Sequence, residues 1–303
     1  MAKTASNADG YLLLHKKSGL TSFDSLFQVK KALHTGKVGH TGTLDKFAEG
    51  LLVLLVGRYT SLVPLFNDLD KVYTGTLYFG QETDTLDPEG SIVTEAALPD
   101  ADTVFRVLRT FIGEQWQIPP EYSAIHVDGQ RAYERVRSGE SLEMKPRYIT
   151  IYSIKALNFD GLRLTFMVHC SKGTYIRALA RDIGRAAGSC AYLEKLSRIA
   201  VGPFEVGESI TPKAGEAGYT DIQAALKPVK MELFNRLGIP VLMLEDTDCI
   251  SIIQGKPLEP LLKRYDLAQG GPLLGLFNKQ EVLVALIECI QDRWFYKHVY
   301  SPH

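Results

Sequence analysis

Six consecutive apolar residues, Leu51-Leu52-Val53-Leu54-Leu55-Val56, stand between Gly50 and Gly57. A run without polar alternation has no side to give to water, so it needs cover on both faces. It is far short of the roughly 18 residues that a membrane crossing requires. Bounded by glycines, it predicts a central strand in a sheet packed on both sides. The chain has 303 residues, 45% of them hydrophobic, which is material enough for that core and for one large or two unequal domains.

The segment feeding this strand is Gly39-His40-Thr41-Gly42-Thr43-Leu44-Asp45. Its glycines allow turns closed to other residues. The hydroxyls of Thr41 and Thr43 can tie the loop to itself. Asp45 ends the turn. An aspartate in that position is most often a helix cap. The alternative is a single acid presented at a fixed point on a rigid support.

A net charge of −1 argues on its face against a nucleic-acid partner, but the charge is unevenly spread. Residues 11–46 hold six Lys against two Asp, and residues 171–200 six Lys or Arg against two acids, +4 in each case. Residues 82–102 hold seven acids and no base. Two basic segments on a neutral chain are compatible with a cleft that takes a phosphate backbone. Cys170, Cys190, Cys249 and Cys289 lie far apart with no C-x-x-C pair, so reduced thiols packed as small hydrophobes are expected. No Cys/His cluster has ligand spacing, and no metal is expected. Met1 to Gly10 is polar and without an apolar signal core; the reading is a frayed start, residues 1–9, of a cytoplasmic protein.

Along the chain, Tyr11 to His15 predicts a strand. Thr21 or Ser22 can cap a helix with Leu26, Val29 and Leu33 inward. Thr60 to Leu69 reads as a helix, and Val72 to Phe79 as a strand with Tyr73, Leu77 and Phe79 on one face. Asp87-Pro88-Glu89-Gly90 is a turn and Asp102 to Phe111 a helix. Ile118-Pro119-Pro120 must be extended. A strand to Val127, a turn at Asp128-Gly129 and a short helix over 131–137 follow. Leu162 to Cys170 alternates as a strand, and Thr174 can cap the helix that carries Ile176, Leu179 and Ile183. Ser189 to Ala200 is a short segment of undecided type. Thr211 to Tyr219 is turn-like, Val229 to Leu237 a linking helix, and the rest a small β-rich module broken by glycines.

Several stretches together carry a resemblance. Gly39 to Leu52, GHTGTLDKFAEGLL, resembles the catalytic motif of the TruB family of tRNA pseudouridine synthases. Lys71-Val72-Tyr73 with Gly80 to Thr85, Ile118 to Ala124, and Lys172 to Arg177 resemble further motifs of that family, in its order, over roughly residues 10 to 205. The resemblance implies an α+β fold: a mixed sheet flanked by helices in a catalytic domain, residues 10–237, with a thumb-like insertion at about 118–147 that closes on RNA. A PUA-like RNA-binding domain, 238–303, would follow. It implies a stand-alone, cofactor-free enzyme that flips uridine 55 out of the tRNA T-loop and isomerises it to pseudouridine, acting as a monomer with no protein partner and no membrane.

By the same resemblance Asp45 is the nucleophile, attacking C1′ or C6 or removing a 2′ proton. Arg177 pairs with it. Tyr73 stacks on the base, against the alternative of an ordinary core tyrosine, and its hydroxyl is a candidate in C5 deprotonation. Tyr175 contacts substrate, and His40 helps hold the T-loop open. Lys16, Lys17, Lys37 and Lys172 are candidate phosphate contacts, of the kind that position without reading sequence. Arg177 would sit near a helix start, unfavourable for the dipole, which itself hints at another employment. Lys46 stands where the family usually has proline, which leaves the stiffness of the loop after Asp45 open. Two rivals are a guide-RNA-dependent relative and an RNA-folding module with incidental or lost catalysis.

Overall fold

The computed structural model describes residues 8–122, 126–127, 130–131, 144–213, 215–265 and 271–301. Its strands are β1 (Gly10–Lys16), β2 (Val38–His40), β3 (Glu49–Val56), β4 (Lys71–Phe79), β5 (Gln81–Thr83), β6 (Ile92–Glu95), β7 (Gly113–Gln117), β8 (His126–Val127), β9 (Gln130–Arg131), β10 (Arg147–Phe159), β11 (Arg163–Cys170), β12 (Ala191–Val201) and β13 (Phe204–Glu205), then β14 (Val241–Met243), β15 (Leu273–Phe277), β16 (Leu283–Ile290) and β17 (Arg293–Val299). The helices are α1 (Ser22–Ala32), α2 (Val63–Asn67), α3 (Ala101–Thr110), α4 (Ile176–Ala186), α5 (Glu216–Ala225), α6 (Met231–Arg236), α7 (Asp246–Ile253) and α8 (Glu259–Arg264).

The main sheet runs β1-β3-β12-β4-β11-β10-β7, with β2 on β3 and β13 on β12. It is mixed: β3 and β12 are parallel, touching only at Ser197↔Glu49 and Arg198↔Gly50, and its other pairs are antiparallel. This is the α+β class that the sequence predicts. The apolar run is an interior strand with both faces buried. Leu51, Val53 and Leu55 join one core cluster and Leu52, Leu54 and Val56 another, the latter under α1 and Ile222. Gly50 (φ 107°) makes the crossing to β12 possible; a Cβ there would lie 2.4 Å from the Arg198 carbonyl oxygen. On β4, alternate residues from Lys71 to Phe79 face inward, onto a third cluster with α3 and α4.

The structure assigns one open segment and corrects two expectations. Ser189 to Ala200, left undecided, is mostly β12, in the middle of the sheet between β3 and β4. Its buried positions do not keep a strict period of two, because bulges at Leu193/Lys195 and Arg198/Ala200 shift the register. The turn-like 211–219 runs into α5, whose Ile222 is fully buried against α1's cluster. Asp9, placed in the frayed start, is anchored: its carboxylate accepts from the Arg58 amide at 2.8 Å. The short helix over 131–137, and most of the thumb-like insertion, lie outside the described residues.

Strands β14–β17 form a separate four-stranded sheet, as the β-rich module predicts, with α7 and α8 packed on it. It is not hung on a linker. Phe277, Leu283, Leu286 and Tyr300 share a core cluster with Leu51, Tyr59, Phe66 and Phe234 of the preceding part. The Tyr300 and Ser61 hydroxyls are 2.7 Å apart.

Candidate active site

Asp45 lies in the connection of the β2–β3 hairpin, with its side chain 36% exposed at the edge of a cleft of about 560 Å³. Among the described residues the loop is not tied through the Thr41 hydroxyl. Thr41 is fully buried, and its hydroxyl has no partner among the described residues. The bonds come from elsewhere. The Ser22 hydroxyl donates to Leu44 O and accepts from Leu44 N. Arg198 donates to Gly42 O at 3.2 Å and Leu51 O at 2.8 Å. The Lys46 carbonyl accepts from Gly19 N, and the Phe47 carbonyl from the Ser18 hydroxyl.

Lys16 completes this tie and is the main correction among the predicted phosphate contacts. It is 1% exposed. Its ammonium donates to Leu20 O and Ala48 O, each at 2.6 Å, with Lys17 O and Lys46 O farther off. Burial pulls its pKa down to about 8, against the attraction of Asp45. A cation so enclosed fastens the loop and cannot reach a phosphate. Lys17 and Lys37 are exposed, and so is Lys172, which pairs with Asp68 at 2.7 Å.

Arg177, on the first turn of α4, is 5% exposed and uses all of its N–H groups. Nε and Nη2 hold the two oxygens of Asp45 at 3.0 and 3.1 Å, a bidentate fork. Nη2 also donates to Tyr122 O at 2.8 Å; Nη1 donates to Thr85 O at 2.7 Å and to Asp87 at 3.2 Å. The two carboxylates bring negative charge to a helix start, which offsets the misplaced cation. Burial raises the pKa of Asp87, against the Thr85 hydroxyl and Arg177. The α4 cap differs from expectation. Tyr175, not Thr174, is the N-cap, and the Thr174 hydroxyl turns back to Ser171 O at 2.9 Å. The Gln117 amide brackets Tyr175, accepting from its N at 2.8 Å and donating to its O at 3.1 Å.

Tyr73, His40, Tyr175 and Arg177 line the same cleft as Asp45, together with Leu196, Arg198 and Lys71. Burial raises the pKa of Tyr73, opposed by the adjacent Arg198, so its phenol is neutral near pH 7. Burial, helped by Arg198, lowers that of His40, which is therefore neutral too. Asp87, Arg198 and Gln117 were given no site role in the sequence, and Lys71 appeared there only within a motif. Arg198 carried only a weak signal, as the last cation of the basic segment 171–200. Asp87 carried none, because Asp-Pro-Glu-Gly reads completely as a turn. Among the described residues no group of three His, Cys, Asp or Glu is placed to hold a metal ion.

Residues 30–176 match the model of the TruB family pseudouridylate synthase N-terminal domain. A tRNA pseudouridine synthase B from Bordetella avium (strain 197N) is 47% identical over 222 residues, 72% of this chain and 91% of that one. The chain belongs to the TruB family. Another member, the tRNA pseudouridine synthase B of Borreliella burgdorferi (strain ZS7), is 47% identical over 204 residues, 66% of this chain and 72% of its own. The fold is shared more widely than the TruB sequence pattern. A chain in the crystal structure of a Cbf5-Nop10-Gar1 complex superposes with a TM-score of 0.67 at 23% identity, over 94% of this chain and 79% of that one.

Proposed function

We propose that this TruB-family chain isomerises uridine to pseudouridine in tRNA, at position 55 of the T-loop. One observation carries the reading: an aspartate gripped by both oxygens in a buried arginine fork, yet open on one side to a cleft of nucleotide size. The N1–C1′ bond breaks, the ribose rejoins the ring at C5, the C5 proton leaves and N1 takes one up, with no net redox change. A carboxylate suits this, since it can attack carbon and later depart, or take a ribose proton. Arg177 keeps Asp45 aimed while RNA over the cleft excludes water. The uridine is flipped out of the T-arm. Tyr73 offers an aromatic face worth about 1–3 kcal/mol per stacked base, and its hydroxyl is the candidate for C5 deprotonation.

Tyr175 and His40 line the cleft with Asp45, Tyr175 as a substrate contact and His40, a neutral imidazole, as a support for the opened T-loop. Lys17, Lys37 and Lys172 are surface cations for the RNA backbone, and the C-terminal module extends that surface. The protein works as a monomer in the cytoplasm, without a guide RNA.

The test is to incubate the protein with unmodified tRNA and map pseudouridine by nucleotide, alongside Asp45→Asn. Product at uridine 55 alone is expected from the parent. The variant should give none while binding tRNA within a few-fold, because backbone contacts and stacking supply most affinity. Product from Asp45→Asn near the parent rate would remove Asp45 from the mechanism. Accelerated tRNA folding without product would favour an RNA-folding module.

A further inference from the structure

Lys46, where the family usually has proline, follows the nucleophile directly. Its ammonium meets Glu89 Oε1 at 3.2 Å. The Glu89 amide in turn donates to Asp87 Oδ1 at 3.0 Å, and Asp87 Oδ2 accepts from Arg177, which holds Asp45. The contacts close a ring: Asp45, Arg177, Asp87, Glu89, Lys46 and back to Asp45 through the peptide bond. The turn inside that ring is strained. Leu86, immediately before Asp87, is buried and has φ of 62°, a region costly to a residue with a Cβ. Such a conformation persists only where its surroundings over-determine it. The Thr83 and Thr85 hydroxyls, both donating to Asp87, hold the turn from within. Among these contacts the Lys46–Glu89 pair is the one that ties it to the catalytic loop from the solvent side.

We propose that Lys46 is a positioning residue: paired with Glu89, it straps the 84–90 turn to the nucleophile loop and so keeps Asp87 seated on Arg177. Proline would stiffen the loop by restricting its own backbone. Here the carbonyls of residues 45–48 already take up bonds from Ala48, Gly19, Ser18 and Lys16. The lysine side chain is thereby available for the neighbouring turn. The strap acts on the site assigned under the proposed function and rests on that reading.

The test uses the full-length protein with Lys46→Met, Glu89→Gln, the double variant, and the charge swap Lys46→Glu with Glu89→Lys. Three quantities are read: single-turnover rate with saturating tRNA, tRNA affinity, and hydrogen exchange of the amides of residues 84–91. Half-exposed pairs are weak, typically up to about 1 kcal/mol, so each single variant should lower the rate about two- to fivefold. Affinity should stay within about twofold by the same argument, since neither partner is assigned to the RNA. The double variant should be no slower than the singles, the swap should recover most of the rate, and exchange in the turn should quicken in the singles. An unchanged rate with unchanged exchange in Lys46→Met overturns the proposal. So does weaker tRNA binding in Lys46→Met alone, which would make Lys46 a phosphate contact. A parent that converts no uridine would sink the functional reading instead, and the exchange arm would then decide the strap by itself.

Discussion

At Arg177, geometry matters beyond charge. A lysine keeps the positive charge but cannot span both oxygens of Asp45 while serving Thr85 O, Tyr122 O and Asp87. Arg177→Lys should therefore lower the single-turnover rate by about a hundredfold, the scale of a 1 Å misplacement, and move tRNA affinity much less. A rate within threefold of the parent would show that the fork is dispensable. Lys16 gives a prediction in pH. Its folded pKa of about 8 lies below the ordinary lysine value of 10.5, so between those limits the unfolded chain binds more protons and stability rises with pH. The difference in urea unfolding free energy between parent and Lys16→Met should grow from pH 7.5 to 10, by about 2–3 kcal/mol over the window. A difference that stays flat or shrinks would mean that the ammonium is not desolvated. Asp45 and Arg177 could be picked out in the sequence because motif position marks them. Lys16 was misassigned because composition shows a charge and not its enclosure: the carbonyls around it come from residues 17, 20, 46 and 48.

Elements announced themselves where a single period governed burial. The run from Leu51 to Val56, the alternation on β4 and β11, and a cap at Thr21 or Ser22 were readable in the chain, and the structure gives the cap to Thr21. β12 was not, because its two bulges break the alternation that identifies a strand. That strand matters to the site, since it seats both Leu196 and Arg198 in the cleft wall and receives α4. The helix reaches it at Gly184, where a Cβ would come within 2.6 Å of Ala191 N. Backbone cannot yield as a side-chain tip can, so Gly184→Ala must push α4 outward and shift Arg177 with it. Overpacking of this kind costs about 1–3 kcal/mol. The variant should melt lower and turn over more slowly even with saturating RNA. Parental melting together with parental rate would show that α4 does not bear on β12 at that point.

Across the whole molecule, the sequence suggested two domains, because the length allows two unequal ones and glycines break the C-terminal stretch into short apolar runs. Composition does not report which faces are shared. Phe277 of the C-terminal sheet meets Phe234 of α6 edge-on, with centroids 5.1 Å apart, and Tyr300 lies against Tyr59 at 5.4 Å. Removing the module would uncover Tyr59 and Phe234, which share a core cluster with Leu51, Val53 and Leu55 of β3. The chain should therefore unfold as one cooperative unit. Its two tryptophans allow a direct check, as Trp116 lies on β7 and Trp294 on β17 against the module's own cluster. In a Trp116→Phe background all indole emission comes from the module, while far-UV circular dichroism is dominated by the rest of the chain. The two signals should share one urea midpoint. Phe277 is fully buried, so Phe277→Ala should lower both midpoints together, with a loss of about 3–5 kcal/mol in unfolding free energy. Separate midpoints, or a Phe277→Ala variant that shifts the emission curve alone, would show that the module folds on its own and that the shared cluster contributes little to holding the site in place.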